Sequence, residues 1–188
     1  SDRKDQGEDL IVGLLGCMAE RTNTDILEKN PHIDLLVGPS RLGEISSLIE
    51  NLSEKKIKRE IALSDFRTRK GKKIEHEPMD SLEALDAARL SGLKSIKSQA
   101  YIRITRGCNK FCSFCVVPRT RGPEIHRSLD SILVEAKSLV DSGVVEITLL
   151  GQTINHYPEF ARLLKEMHDQ NPSLKRLRFL TSYPRDFT

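Results

Sequence analysis

Apolar and polar residues alternate along this chain in a rhythm of short strands and amphipathic helices. Leu10–Leu15 is an apolar run of strand length, and Gly16-Cys17-Met18-Ala19-Glu20 turns from it into a helix. Ile33-Asp-Leu-Leu-Val37 reads as a second strand, ended by Gly38-Pro39. Leu42, Ile45, Leu48, Ile49 and Leu52 then recur at helical spacing, with Ser40 placed as an N-cap. A β-α-β-α order predicts a parallel sheet, so residues 1–52 read as part of a larger α/β domain. From Ser53 the periodicity fades, and residues 53–99 are expected to form a basic linker with one short helix. That helix begins at the capping-box-like Asp80-Ser-Leu-Glu83, runs to Leu90 and stops at Gly92.

The rhythm resumes in residues 100–188. Tyr101–Thr105 reads as a strand, and Ser128 caps a helix whose apolar face is Leu129, Ile132, Leu133, Ala136, Leu139 and Val140. Val144–Leu150 is the next strand, Phe160, Leu163, Leu164 and Met167 mark another helix, and Leu177–Leu180 is a third strand. Successive strand–helix units build a parallel barrel or open sheet with functional groups at the C-terminal strand ends. The cysteine loop Cys108–Cys115, Gly151-Gln152 and Thr181-Ser182 all sit at such strand ends and are therefore expected to gather on one face.

Composition narrows the class. The 188 residues are 38% hydrophobic and 30% charged, which describes an ordinary soluble protein. The longest apolar runs are far too short to span a bilayer, and the polar N-terminus does not resemble a signal peptide. Four unevenly placed cysteines argue against a secreted disulfide scaffold, so the expected compartment is the cytoplasm, where thiols stay reduced. The net charge of +3 is modest. Its distribution is not: Lys and Arg are dense from Lys55 to Lys73, around the cysteines (Arg103, Arg106, Lys110, Arg119, Arg121, Arg127), and at Lys175, Arg176, Arg178 and Arg185. Such clusters suit a polyanion such as RNA, although runs of this kind are commonly solvated surface.

The candidate chemistry lies in Cys108-Asn-Lys-Phe-Cys112-Ser-Phe-Cys115. Three thiolates on one loop can hold three corners of an iron–sulfur cube and leave the fourth iron open. Two other readings of these residues stand beside that one. Cys112-Ser-Phe-Cys115 alone could be a thioredoxin-like redox pair, which has no use for Cys108. A structural zinc site would need a fourth ligand, from Cys17 or from His126. His126 otherwise reads as a surface histidine in an arginine-rich turn.

The spacing C-x₃-C-x-aromatic-C after a strand resembles the radical S-adenosylmethionine (SAM) superfamily. Arg106-Gly-Cys-Asn-Lys-Phe-Cys-Ser-Phe-Cys-Val-Val-Pro-Arg-Thr-Arg-Gly-Pro-Glu124, Leu149-Leu-Gly-Gln-Thr-Ile-Asn155 and Thr181-Ser-Tyr-Pro-Arg-Asp-Phe187 narrow the resemblance to methylthiotransferases, closest to the MiaB-type tRNA enzymes. The resemblance implies an N-terminal α/β methylthiotransferase domain, partly present, followed by part of a radical-SAM (β/α) barrel. It also implies a [4Fe–4S] cluster on Cys108, Cys112 and Cys115, with SAM chelated at the open iron and contacted by Phe114, Gly151, Gln152, Asn155 and Ser182. Reductive cleavage of SAM would then give a deoxyadenosyl radical.

Gly16-Cys17-Met18-Ala19-Glu20-Arg21 resembles the third cysteine motif of that family's N-terminal domain, which implies that Cys17 is a ligand of a second, auxiliary [4Fe–4S] cluster. The other two auxiliary cysteines have no counterpart, so the chain reads as a fragment, or as the ordered portion, of a larger protein. The implied substrate is N6-isopentenyladenosine beside the tRNA anticodon, methylthiolated at carbon 2. Arg119 and Arg121 are its expected phosphate contacts or else form local ion pairs, a flavodoxin or ferredoxin would be the reductant, and the protein is expected to be a monomer. Sister reactions on threonylcarbamoyl-adenosine in tRNA or on a ribosomal protein are the nearest alternatives. A non-enzymatic zinc-binding RNA module is the alternative of another class.

Overall fold

The computed structural model describes residues 2–54, 57–64 and 98–186; the helix expected at Asp80–Leu90 lies outside them. Two units emerge, one built from the N-terminal residues together with Arg119–Arg121, the other from the rest of the C-terminal half. Both are mixed α/β with parallel sheets.

In the first unit, a single turn α1 (Asp2–Asp5) precedes β1 (Gly13–Leu15), α2 (Cys17–Thr22), α3 (Asp25–Lys29) and β2 (Leu35–Val37). Helix α4 (Ile45–Glu54) and strand β3 (Glu60–Ala62) complete it. The sheet order is β1-β2-β3, all parallel. Strand β2 is buried throughout because it is central and covered on both faces. Leu36 packs with Ala19, Leu27 and Ile33 on one face, while Leu35 and Val37 pack with Leu48 and Ala62 on the other.

Three expectations change here. The run Leu10–Leu15 yields only a three-residue edge strand, with Leu15 exposed on it. Ser40 is not an N-cap: Pro39–Glu44 forms a 3₁₀ turn capped at Gly38, and the α-helix starts five residues later than Ser40, at Ile45. Proline at the first position of the turn sets its φ and lacks the amide hydrogen that a cap would have bonded. The stretch read as linker contains β3, whose Ala62 is buried against the sheet.

The second unit opens with β4 (Gln99–Arg103), which pairs in parallel with β7 (Glu146–Leu150); β7 pairs in parallel with β8 (Arg176–Phe179). The strand expected over Tyr101–Thr105 is split. After β4 the chain breaks from the sheet, and β5 (Thr105–Arg106) pairs antiparallel with β6 (Ile125–His126). The cysteine loop is thus the excursion between β5 and β6, and it contains the short helix α5 (Val117–Thr120).

Helices α6 (Leu129–Asp141) and α7 (Phe160–Gln170) supply Ile132, Leu133, Ala136, Leu139, Leu163 and Met167 to a core with Ile102, Ile104, Ile147 and Leu149. Ser128 caps α6 as expected, its hydroxyl accepting from the Ser131 amide. Among the described residues, no helix is long and apolar enough to cross a membrane.

Candidate functional site

All four cysteines are free thiols. Cys108 is buried where β5 ends, and Cys112 and Cys115 are half-buried on the same loop. The fold produces this loop through its backbone. Gly107 has φ +70°, and a Cβ there would meet the Pro123 carbonyl oxygen at 1.9 Å, so only glycine lets the two arms of the excursion close. The closure is fastened by the Cys108 amide donating to the Gly122 carbonyl at 3.2 Å. Two tight turns follow, with the Cys112 amide donating to the Lys110 carbonyl and the Cys115 amide to the Cys112 carbonyl, each at 3.0 Å. The sulfur of Cys108 accepts from the Lys110 amide at 3.3 Å and lies 3.2 Å from the Thr153 hydroxyl.

The loops after the three strands do meet on one face. Lys110, within the cysteine loop, forms an ion pair with Asp186 at 2.8 Å and lies 4.9 Å from the centre of the Tyr183 ring. The Asp186 carboxylate holds the Lys110 ammonium above its ordinary pKa. Asn155 and Tyr183 exchange two hydrogen bonds: the Asn155 amide nitrogen donates to the Tyr183 carbonyl at 2.9 Å, and the Tyr183 amide donates to Asn155 Oδ1 at 2.8 Å. The Ile154 amide donates to the Thr181 carbonyl at 3.1 Å. Gly151 and Gln152 are half-buried at the end of β7, and a Cβ on Gly151 would strike the Thr105 methyl at 2.4 Å. Close packing against β5 is thus the local reason for that glycine.

The other expected residues are less enclosed. Phe114 is 90% exposed beside Cys115, and Ser182 is exposed after Thr181, whose φ is +70°. Arg119 is exposed on α5. Cys17 opens α2 in the first unit, half-buried, and the Nε of Arg121, which belongs to that unit, donates to its sulfur at 3.3 Å.

Other positive groups already have local work. Arg127 pairs with the almost fully buried Glu135 at 2.6 Å, and Arg176 and Arg178 both reach Glu146, at 3.1 and 3.2 Å.

His126 is not a surface histidine. It is half-buried in β6 with its ring edge-on to Tyr157, 5.6 Å between centroids. Burial pushes its pKa below the ordinary histidine value, Glu124 pulls it back up, and His156 adds to the lowering. Glu124 and His156 lie beside it, with His156 Nδ1 2.5 Å from Glu124 Oε2. Glu124 and Thr153 lie within the segments that carry the family resemblance, but the pattern there assigns neither a role, and His126 and His156 lie outside those segments. What the pattern does offer is Glu124 and His126 two residues apart on an extended segment, which places both on one side.

Three thiols free of disulfides, presented by one loop with the Lys110 backbone amide turned toward the sulfur of Cys108, suit an iron–sulfur cluster with an open corner. Residues 102–186 match the radical SAM superfamily. Over 94% of its length the chain is 40% identical to the tRNA-2-methylthio-N(6)-dimethylallyladenosine synthase of Rhodopirellula baltica, covering 38% of that protein. It is 37% identical to the synthase of the same name from Nitrosomonas eutropha, over 98% of this chain and 40% of that one. With the one from Dictyoglomus thermophilum the identity is 36%, over 97% and 39% respectively. The chain thus spans about two fifths of the length of the curated relatives it matches. Residues 102–186 are thus similar to the radical SAM superfamily, and the chain, along nearly its whole length, is similar to the curated tRNA-2-methylthio-N(6)-dimethylallyladenosine synthases.

Proposed function

We propose that the protein carrying this chain is a radical SAM methylthiotransferase. It would convert N6-isopentenyladenosine (N6-dimethylallyladenosine) next to the tRNA anticodon to its 2-methylthio derivative. The observation that carries this reading is the loop of three free thiols held against two neighbouring strand-end loops, within a segment that matches the radical SAM superfamily.

In this reading Cys108, Cys112 and Cys115 hold a [4Fe–4S] cluster. When bound, that cluster supplies SAM with the electron needed to open a C–H bond beyond the reach of acid–base groups. The remaining tasks fall to this chain's residues. The Lys110–Asp186 pair and the Asn155–Tyr183 exchange fix the loops between which SAM would lie. Gly151 and Gln152 would border its amino-acid end, while Phe114 offers an exposed ring for its adenine and Ser182 an exposed hydroxyl. The amide of Asn155 is committed to Tyr183, so its contribution is to position the loop.

The first unit would be part of a methylthiotransferase domain in which Cys17 is one ligand of an auxiliary [4Fe–4S] cluster, and the second unit part of a (β/α) barrel. Arg119 and Arg121 would face tRNA phosphates, and the base would be splayed out of the anticodon loop toward the cluster. A flavodoxin- or ferredoxin-like reductant, a monomeric state and a cytoplasmic setting complete the proposal.

Two measurements test it. After anaerobic reconstitution, dithionite and SAM should release 5′-deoxyadenosine, and Cys112→Ala should abolish the release; zinc without iron or sulfide in the reconstituted protein would sink the radical chemistry. Nucleoside analysis of tRNA from a strain lacking the gene should show loss of the methylthio-isopentenyl nucleoside. If that nucleoside is unchanged, the substrate assignment is wrong.

A further inference from the structure

Beside the cysteine loop lies a second group of metal-ligating side chains that the radical chemistry does not use. Glu124 directly precedes β6 and His126 lies within it, so the two project to the same side of one extended segment. His156 reaches the same place from the 3₁₀ turn Ile154–His156 that follows β7. One ligand atom from each of the three lies within 4.8 Å of the others.

The burial of these groups calls for an explanation. The Glu124 side chain is 2% exposed; its Oε2 meets His156, yet its buried Oε1 has no hydrogen-bond partner. Buried Nδ1 of His126 likewise has none. A buried polar atom without a partner costs about 1–3 kcal/mol, and more when it is charged. Two such atoms side by side, one carboxylate oxygen and one imidazole nitrogen, are a poor arrangement for packing. They are a good one for a cation.

We propose that Glu124, His126 and His156 form a binding site for a divalent first-row transition cation, zinc being the best fit. Two imidazoles and one carboxylate are a recurrent donor set for zinc and for non-haem iron. Calcium and magnesium, which take oxygen ligands, are disfavoured by two nitrogen donors among three. The cation would satisfy both orphaned atoms and tie β6 to the turn after β7. Its effect would reach the cysteine loop, because the Glu124 amide donates to Asn109 Oδ1 at 3.1 Å and Asn109 follows Cys108. The inference needs only these three side chains and stands whether or not the radical reading holds.

The test is zinc binding to the anaerobically reconstituted, chelator-washed protein, in which the three loop cysteines would be occupied by iron and sulfide. Equilibrium dialysis against zinc chloride, with zinc and iron both counted by mass spectrometry, should find about one zinc per chain held by these ligands. His126→Ala and His156→Ala should each weaken zinc binding at least about tenfold while iron content stays unchanged. Zinc uptake that is identical in the variants, or that rises only as iron is lost, would overturn the site.

A readout on the unmutated protein covers the case in which a variant misfolds. Zinc should slow carbethoxylation of His126 and His156 by diethyl pyrocarbonate and leave His32 and His168 unaffected. Equal modification with and without zinc would overturn the proposal by itself.

Discussion

At the scale of single residues, the contact that says most about the site is the 3.2 Å approach of the Thr153 hydroxyl to Cys108. Both partners are buried, so water does not compete for the bond. A metal-bound thiolate has no proton to give, so in the loaded site the hydroxyl is the donor. Hydrogen bonds to ligating sulfur are among the factors that set the potential of an iron–sulfur cluster, because they stabilise the more negative, reduced state. Thr153→Val keeps the shape and removes the donor. It should lower the potential of the cluster by roughly 30–60 mV, about the scale of a tenfold change in a one-electron equilibrium. Thr153→Ser should restore it. A redox titration followed by electron paramagnetic resonance reads this directly, and an unchanged potential in the valine variant would show that the hydroxyl is only packed there.

At the scale of elements, α6 is tied by a buried ion pair to Arg127, the residue that follows β6, and through it to the end of β4. Arg127 donates to Glu135 on α6 at 2.6 Å and to the Arg103 carbonyl at 3.0 Å, with side-chain exposures of only 10% and 2% for Arg127 and Glu135. Removing one partner of such a pair leaves a buried charge uncompensated. Glu135→Ala should therefore cost about 3–5 kcal/mol in urea unfolding, whereas the double replacement Arg127→Met with Glu135→Leu should recover most of that loss. A double variant as unstable as the single one would contradict this account.

The same helix shows what the sequence carries and where it stops. Leu129, Ile132, Leu133, Ala136 and Leu139 announce α6 through their spacing, and Ser128 announces its start, because both signals are local. The cysteine triplet is equally legible, since three ligands in eight residues need no tertiary information. By contrast, the break between β4 and β5 depends on the antiparallel pairing of Thr105-Arg106 with Ile125-His126, some twenty residues on. The assembly of Glu124, His126 and His156 depends on that pairing plus a turn after another strand. Ser40 misleads for a related reason: it is a competent cap, but Pro39 before it starts a tighter 3₁₀ turn.

At the scale of the whole molecule, charge decides how a tRNA substrate would be held. A net charge of +3 is small for a polyanion-binding chain, and the pattern of basic residues overstates what is available. Arg127 is consumed by Glu135, Lys110 by Asp186, and Arg176 and Arg178 by the Glu146 carboxylate, whose side chain is only 10% exposed. Withdrawing Arg176 or Arg178 toward a phosphate would leave Glu146 less compensated, so these two are held by the fold although they are accessible. Arg119, exposed on α5 within the excursion that carries the cysteines, has no comparable tie to a buried acid among the described residues.

Each phosphate neutralised by a protein cation releases counterions and steepens the fall of affinity with salt, by about 0.7 to 0.9 in the logarithmic slope. Measured as tRNA affinity across a salt series, Arg119→Ala should therefore weaken binding and reduce that slope by roughly 1. Arg178→Ala should leave the slope unchanged and appear instead as a loss of stability. The reverse result, a slope that responds to Arg178 and ignores Arg119, would place the RNA on the β8 side of the sheet and away from the cysteine loop.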